Sequence, residues 1–146
     1  MKRALIIVAA ALAALAGYVA YVVNAPVCVV HEGPVMFSAL GRAERAVLPQ
    51  RAGALHYAWR GQGKSFCSVT RFDVPDWAEF TAAYPFRPVR ELPPAFAAVP
   101  QELAQLPWWQ PQRAQHLLLA EIPEHRAYLA ADEEEQTAYL LVLEND

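Results

Sequence analysis

The chain opens with a long apolar run. Residues Ala4 to Val23 carry no charge, and Lys2 and Arg3 precede them. A helix of twenty residues is about 30 Å long, which matches the hydrocarbon thickness of a bilayer. Basic residues stay on the cytoplasmic side of a membrane. The pattern therefore predicts an N-terminal transmembrane helix, a membrane anchor over residues 1–24, with residues 25–146 forming an extracytoplasmic domain.

The same run allows two alternatives. Ala14-Leu15-Ala16 before Gly17 fits the small-x-small site of a cleaved secretory signal, whose removal would leave a secreted soluble domain. Burial in the core of the domain is the other alternative. Because the run continues past Ala16 to Val23, the anchor is favoured. We expect a single-pass protein of the inner (cytoplasmic) membrane with its C-terminal domain in the periplasm or outside.

Alternation of apolar and polar residues predicts strands in this domain. Val27 to His31 is rich in β-branched residues and predicts a short strand. Residues 54–60 and 65–74 both alternate, and the Gly-rich segment Gly61–Lys64 joins them, which predicts a β-hairpin. One face of the second hairpin strand would carry Phe66, Ser68, Thr70, Phe72 and Val74. Three later runs, 116–122, 125–132 and 137–144, predict an antiparallel meander.

Helical spacing and capping residues predict the remaining elements. Residues 35–48 place four apolar side chains near helical spacing, namely Phe37, Leu40, Val47 and Leu48. Arg42, Glu44 and Arg45 are expected to face outward. Asp76 and Glu79 form a capping-box pattern at the start of a helix that ends before Pro85. Residues 85–111 contain seven prolines and many large apolar residues, which predicts a packed belt with a short helix within 94–106. The fold class is α+β, an antiparallel sheet of four to six strands covered on one face by short helices.

The two cysteines bear on the compartment. Outside the cytoplasm thiol pairs oxidise, so the sequence predicts a disulfide between Cys28 and Cys67 that closes a loop of about forty residues. A catalytic cysteine is the alternative, because His56 could approach Cys67 across the hairpin. No further feature of the sequence indicates a thiol enzyme.

Charge and motifs narrow the function. A net charge of −3 and an isoelectric point near 5.8 argue against nucleic-acid binding. The acidic run at 132–135 is typical of a solvated hairpin tip and lacks the alternating ligands of a calcium loop. The four histidines, which stand far apart, predict neither a metal site nor a cofactor: His31, His56, His116 and His125. No catalytic motif is present, so no catalytic residue is assigned.

The segment from Pro107 to Pro111 sets two indoles, Trp108 and Trp109, between prolines. These indoles are the candidate partner-binding residues, since a rigid aromatic surface suits a sugar ring or a peptide. The alternative is packing, in which one indole fills the core and the other lies along the surface. A P-W-W-x-P element, preceded by V-P-D-W-x-x-F and followed by the terminal strand at 138–141, resembles small uncharacterised bacterial envelope proteins and lipoproteins. That resemblance implies an envelope location and no activity.

These observations together predict a non-enzymatic binding or accessory protein. Its expected partners are the membrane, through the N-terminal helix, and another envelope protein or a cell-wall component. The alternative from another class is a small envelope hydrolase in which scattered acids such as Asp73 and Glu121 act with a histidine.

Overall fold

The chain forms one long helix, four short helices and a seven-stranded sheet within the residues that the computed structural model describes. These are residues 2–31, 40–49 and 52–144, with side chains described from residue 9 onward except that of His31. The α+β fold class is therefore confirmed, with more strands than the sequence predicted.

The first helix, α1, spans Lys2–Asn24, so the predicted anchor is helical. Its side chains are exposed from residue 9 to residue 24, including Leu12 at 61% and Tyr21 at 72%. Burial of this run in the core is therefore wrong. Among the described residues, no helix is long and apolar enough to cross a membrane, so a transmembrane helix is not supported there.

All strand pairs in the sheet are antiparallel, and the strands lie in the order β1-β2-β3-β7-β6-β5-β4. Two meanders, β1–β3 and β4–β7, meet where β3 pairs with β7. The strands are β1 Val27–His31, β2 Leu55–Gln62, β3 Ser65–Asp73, β4 Arg87–Val89, β5 Leu117–Ile122, β6 Ala127–Asp132 and β7 Thr137–Glu144.

The predicted hairpin is confirmed as β2 and β3. Its two-residue loop is Gly63–Lys64, and Gly63 has a φ of 57°, a left-handed conformation that glycine adopts without steric cost. Strand β4 was not predicted. It is short and contains Pro88, which is tolerated because β4 lies at the edge of the sheet.

The short helices are α2 Arg42–Val47, α3 Trp77–Ala83, α4 Pro94–Ala97 and α5 Gln101–Ala104. The predicted cap of α3 is confirmed, because the Asp76 carboxylate accepts a hydrogen bond from the Glu79 backbone N–H at 3.0 Å. Within the predicted helix 35–48 the structure shows α2 at 42–47, and residues 35–39 lie outside the described part. The single helix predicted within 94–106 is two helices, and Pro100 stands before the second.

Both faces of the sheet are covered, so the prediction of one covered face is wrong. On one side, here called the helical face, α2 and α3 bury Tyr57, Phe72, Leu129 and Leu140. On the other, the belt face, the proline-rich segment buries Val69, Leu119 and Leu141. The central strands carry apolar side chains on both faces because the sheet is the middle one of three layers, between the short helices and the proline-rich belt.

The sheet has two distinct ends. At the proximal end, β1 begins just after α1, Val27 pairs with Gly61, and Asn24 lies close to Gly63. At the distal end, Asp73 pairs with Thr137 beside the acidic turn 133–136. Nine residues of β3 separate the two ends by about 25–30 Å. The acidic turn is therefore remote from α1.

Candidate functional site

The two indoles of the P-W-W-x-P element lie in different environments. Trp109 is buried, at 3% exposure, among the side chains of the belt face. Its ring stacks on that of Phe96, with centroids 6.1 Å apart and planes inclined by 5°, and the Tyr139 ring meets it edge-on at a centroid distance of 5.7 Å. Such contacts are typical of a core aromatic residue. Trp109 therefore packs the belt onto the sheet.

Trp108 is half-buried and stacks on the His56 ring, with centroids 5.5 Å apart and planes inclined by 23°. Trp108 lies in a turn that is closed by the Trp109 backbone N–H, which donates to the Leu106 carbonyl at 3.0 Å. Trp108 thus presents part of its ring to solvent while its other part is held by β2. This arrangement leaves an amphipathic ring available for a partner.

His56, on which Trp108 stacks, lies on β2, and β2 is the neighbour of the edge strand β1. Val30 on β1 pairs with Ala58 on β2. Ala58 lies two residues from His56 along β2, so their side chains are on the same face of the sheet. Val30 and Cys28 are both exposed. In the described part of the chain β1 is an outermost strand, so its outer backbone groups are positioned to pair with another extended segment.

The predicted disulfide is not formed. Cys28 and Cys67 both pair with Arg60, from opposite sides, so β2 lies between them. Two strand spacings place their Cα atoms about 9–10 Å apart, beyond the reach of a disulfide. Both cysteines are free, Cys28 exposed and Cys67 buried. Burial raises the pKa of the Cys67 thiol to about 12, while nearby Arg60 acts in the opposite direction.

The acids and histidines of the predicted hydrolase do not meet. Asp73 lies 3.9 Å from Arg71, and Glu121 forms an ion pair of 2.8 Å with Arg87 on a different strand. Among the described side chains, no histidine hydrogen-bonds to a carboxylate, and no group of three His, Cys, Asp or Glu residues could hold a metal ion. The arrangement of these residues favours surface ion pairing over acid–base chemistry.

A buried polar cluster escaped the sequence analysis. Glu44 is a residue of α2 and was predicted to face outward, but it is only 1% exposed. Its carboxylate accepts a hydrogen bond from the Ser68 hydroxyl on β3. Tyr57 lies beside it, and burial, reinforced by the Glu44 charge, raises the Tyr57 pKa. Thr70 is also buried, and its hydroxyl has no hydrogen-bond partner among the described residues. The signal was the pair of hydroxyl residues, Ser68 and Thr70, on an otherwise apolar strand face.

A groove of about 670 Å³ opens on the helical face near the distal end. Its walls come from the end of α2, the start of the segment after β3, and α3. The lining is mainly apolar, and two carboxylates, Asp76 and Glu79, are exposed at it. The Tyr84 hydroxyl, which donates to the Val47 carbonyl at 2.6 Å, ties the two walls together. The volume is within the range of ligand sites.

No protein-family model matches the chain, and no similar curated protein or solved structure was found.

Proposed function

We propose that this protein is a single-pass inner-membrane protein whose domain, residues 25–146, is a non-enzymatic binding or accessory module outside the cytoplasm. The exposure of α1 carries the proposal. An apolar helix whose side chains are exposed from residue 9 to residue 24 needs an apolar environment, and a bilayer supplies one. Tyr18 and Tyr21, both exposed, would lie at the outer headgroup level.

The surface around Trp108 supports the binding role. The half-buried Trp108 is held by a stacked histidine on β2, the strand that pairs with the edge strand β1, and this combination suits recognition of an extended segment. The partner we propose is another envelope protein or a cell-wall component. Trp109 contributes by fixing the belt from which Trp108 projects.

The location can be tested with the natural cysteines. Cys28 is exposed close to the end of α1, whereas Cys67 is buried. In intact spheroplasts a membrane-impermeant maleimide should label the wild-type protein and leave Cys28→Ser unlabelled. Labelling that requires lysis would place the domain in the cytoplasm. A mature N-terminus at Gly17, found by mass spectrometry, would replace the anchor with the secreted form.

The binding role needs a separate experiment. The full-length protein should capture its envelope partner, and Trp108→Ala should reduce that capture at a temperature at which circular dichroism shows the variant still folded. Gln112→Ala is the matched control, because Gln112 is exposed a few residues away in the same belt. Equal capture by Trp108→Ala and wild type would remove Trp108 from the interface.

A further inference from the structure

We propose that the distal groove, lined by the end of α2 and by α3, binds a peptide segment of a partner protein in which a lysine or arginine side chain is flanked by apolar residues. This inference rests on the proposed binding function and names a second contact surface for it. The groove lies about one strand length from the proximal end, so its occupant is a protein segment rather than a membrane lipid.

The shape and lining of the groove favour apolar side chains. Val47 and Leu48 form one wall, while Val74 and Phe80 contribute from the other side. All four side chains are buried in the helical-face core, so the walls are held by packing. Because the wall positions are fixed, a partner would find the groove already formed.

The carboxylates select a basic occupant. Asp76 uses one carboxylate oxygen to cap α3, which leaves its other oxygen available. Glu79 is exposed, and its carboxylate forms no ion pair with any described residue. An ammonium or guanidinium group at the groove would therefore meet two carboxylates.

The surroundings strengthen this preference. The Val74 backbone N–H donates to the Gln136 carbonyl at 2.8 Å, which joins the groove to the turn that follows Asp132. Three consecutive exposed glutamates, Glu133 to Glu135, lie in that turn. A concentration of negative charge at one end of the sheet attracts cations and raises their rate of encounter.

The test uses three short peptides and the full-length chain in detergent micelles. Ac-Leu-Lys-Leu-NH2, Ac-Leu-Gln-Leu-NH2 and Ac-Leu-Glu-Leu-NH2 are titrated while the backbone amide signals of the protein are recorded by NMR. The lysine peptide should shift the amide signals of Val74, Ala83 and Tyr84, and added salt should weaken the effect. The glutamine peptide should bind more weakly, and the glutamate peptide should leave these signals in place.

Matched variants identify the charge that matters. Glu79→Gln should weaken binding of the lysine peptide by about threefold, as expected for a partly exposed charge pair. Glu124→Gln, which neutralises an exposed carboxylate at the proximal end, should have no effect. Equal shifts from all three peptides, shifts confined to other surfaces, or no shifts at the groove would overturn the inference. None of these outcomes depends on the compartment or on Trp108, so failure here is distinguishable from failure of the proposed function.

Discussion

Glu44 on α2 and Ser68 on β3 are joined by a hydrogen bond in the interior, with the Ser68 hydroxyl donating to the Glu44 carboxylate. Glu44 is 1% exposed, and Ser68 is fully buried. Among the described ion pairs, none involves Glu44. A buried acid without a basic partner depends on its hydrogen bonds, so the docking of α2 on the sheet depends on this contact.

Removing the Glu44 side chain should destabilise the domain. Glu44→Ala leaves a cavity and an unpaired buried hydroxyl, and we expect the free energy of unfolding to fall by about 2–4 kcal/mol. Glu44→Gln keeps the shape and an acceptor for Ser68, so its loss should be smaller. Urea denaturation of the two variants measures the difference. A Glu44→Ala variant as stable as wild type would show that the contact contributes nothing.

Gly41 should be coupled to Glu44. A Cβ atom at Gly41 would clash with the Glu44 Oε2 atom, although the backbone φ of −64° is one that alanine adopts readily. Gly41→Ala should therefore destabilise the wild type by displacing the carboxylate. In the Glu44→Ala background the same substitution should be neutral or stabilising. Equal effects in both backgrounds, measured by a double-mutant cycle, would contradict this coupling.

The two thiols should differ in reactivity. Cys28 is exposed and should react with a thiol reagent in the native protein, whereas Cys67 is buried and should react only after unfolding. Thiol titration should therefore give one group per chain in buffer and two in denaturant. If neither thiol reacted in the denatured, unreduced protein, the result would indicate a Cys28–Cys67 disulfide, which the strand order of this fold does not permit.

Stability should fall at alkaline pH. Burial raises the pKa of Cys67 from 9.0 to about 12, and it also raises the pKa of Tyr57, Tyr84 and Tyr139. The unfolded chain then loses protons that the folded chain retains, so the stability present below about pH 9 is lost as the pH rises toward 12. Urea denaturation between pH 7 and pH 11 measures the slope. Cys67→Ala should have a shallower slope between pH 9 and pH 10, and an unchanged slope would remove Cys67 as a cause.

The neighbouring tryptophans should behave differently when truncated. Trp109→Ala removes a core ring that contacts Phe96 and Tyr139, and we expect a loss of about 3–5 kcal/mol. Trp108→Ala removes a half-buried ring stacked on His56, and its cost should be about 1–2 kcal/mol. Thermal and urea unfolding followed by circular dichroism compare the two. Similar losses for both variants would show that Trp108 is also a core residue.

Several elements were determined by local sequence. The bounds of β1 match the predicted strand, and the Gly63 turn and the Asp76 cap lie where their residues indicated. In each case neighbouring residues supply the determining interaction: β-branched side chains, a glycine with positive φ, or a carboxylate reaching a nearby N–H. Such interactions act within a few residues, so they can be recognised without knowledge of the fold.

Only the tertiary structure decided how these elements meet. The alternation of apolar and polar residues predicted the strands that contain Cys28 and Cys67 but not the order of those strands in the sheet. Because β2 lies between β1 and β3, the two cysteines are kept apart. The helical spacing of α2 likewise did not show that a hydroxyl on β3 would face Glu44 and allow its burial. Strand order and the contacts between layers depend on residues far apart in the chain. The apolar face of a helix or strand finds the face that covers it only when the whole sheet is assembled.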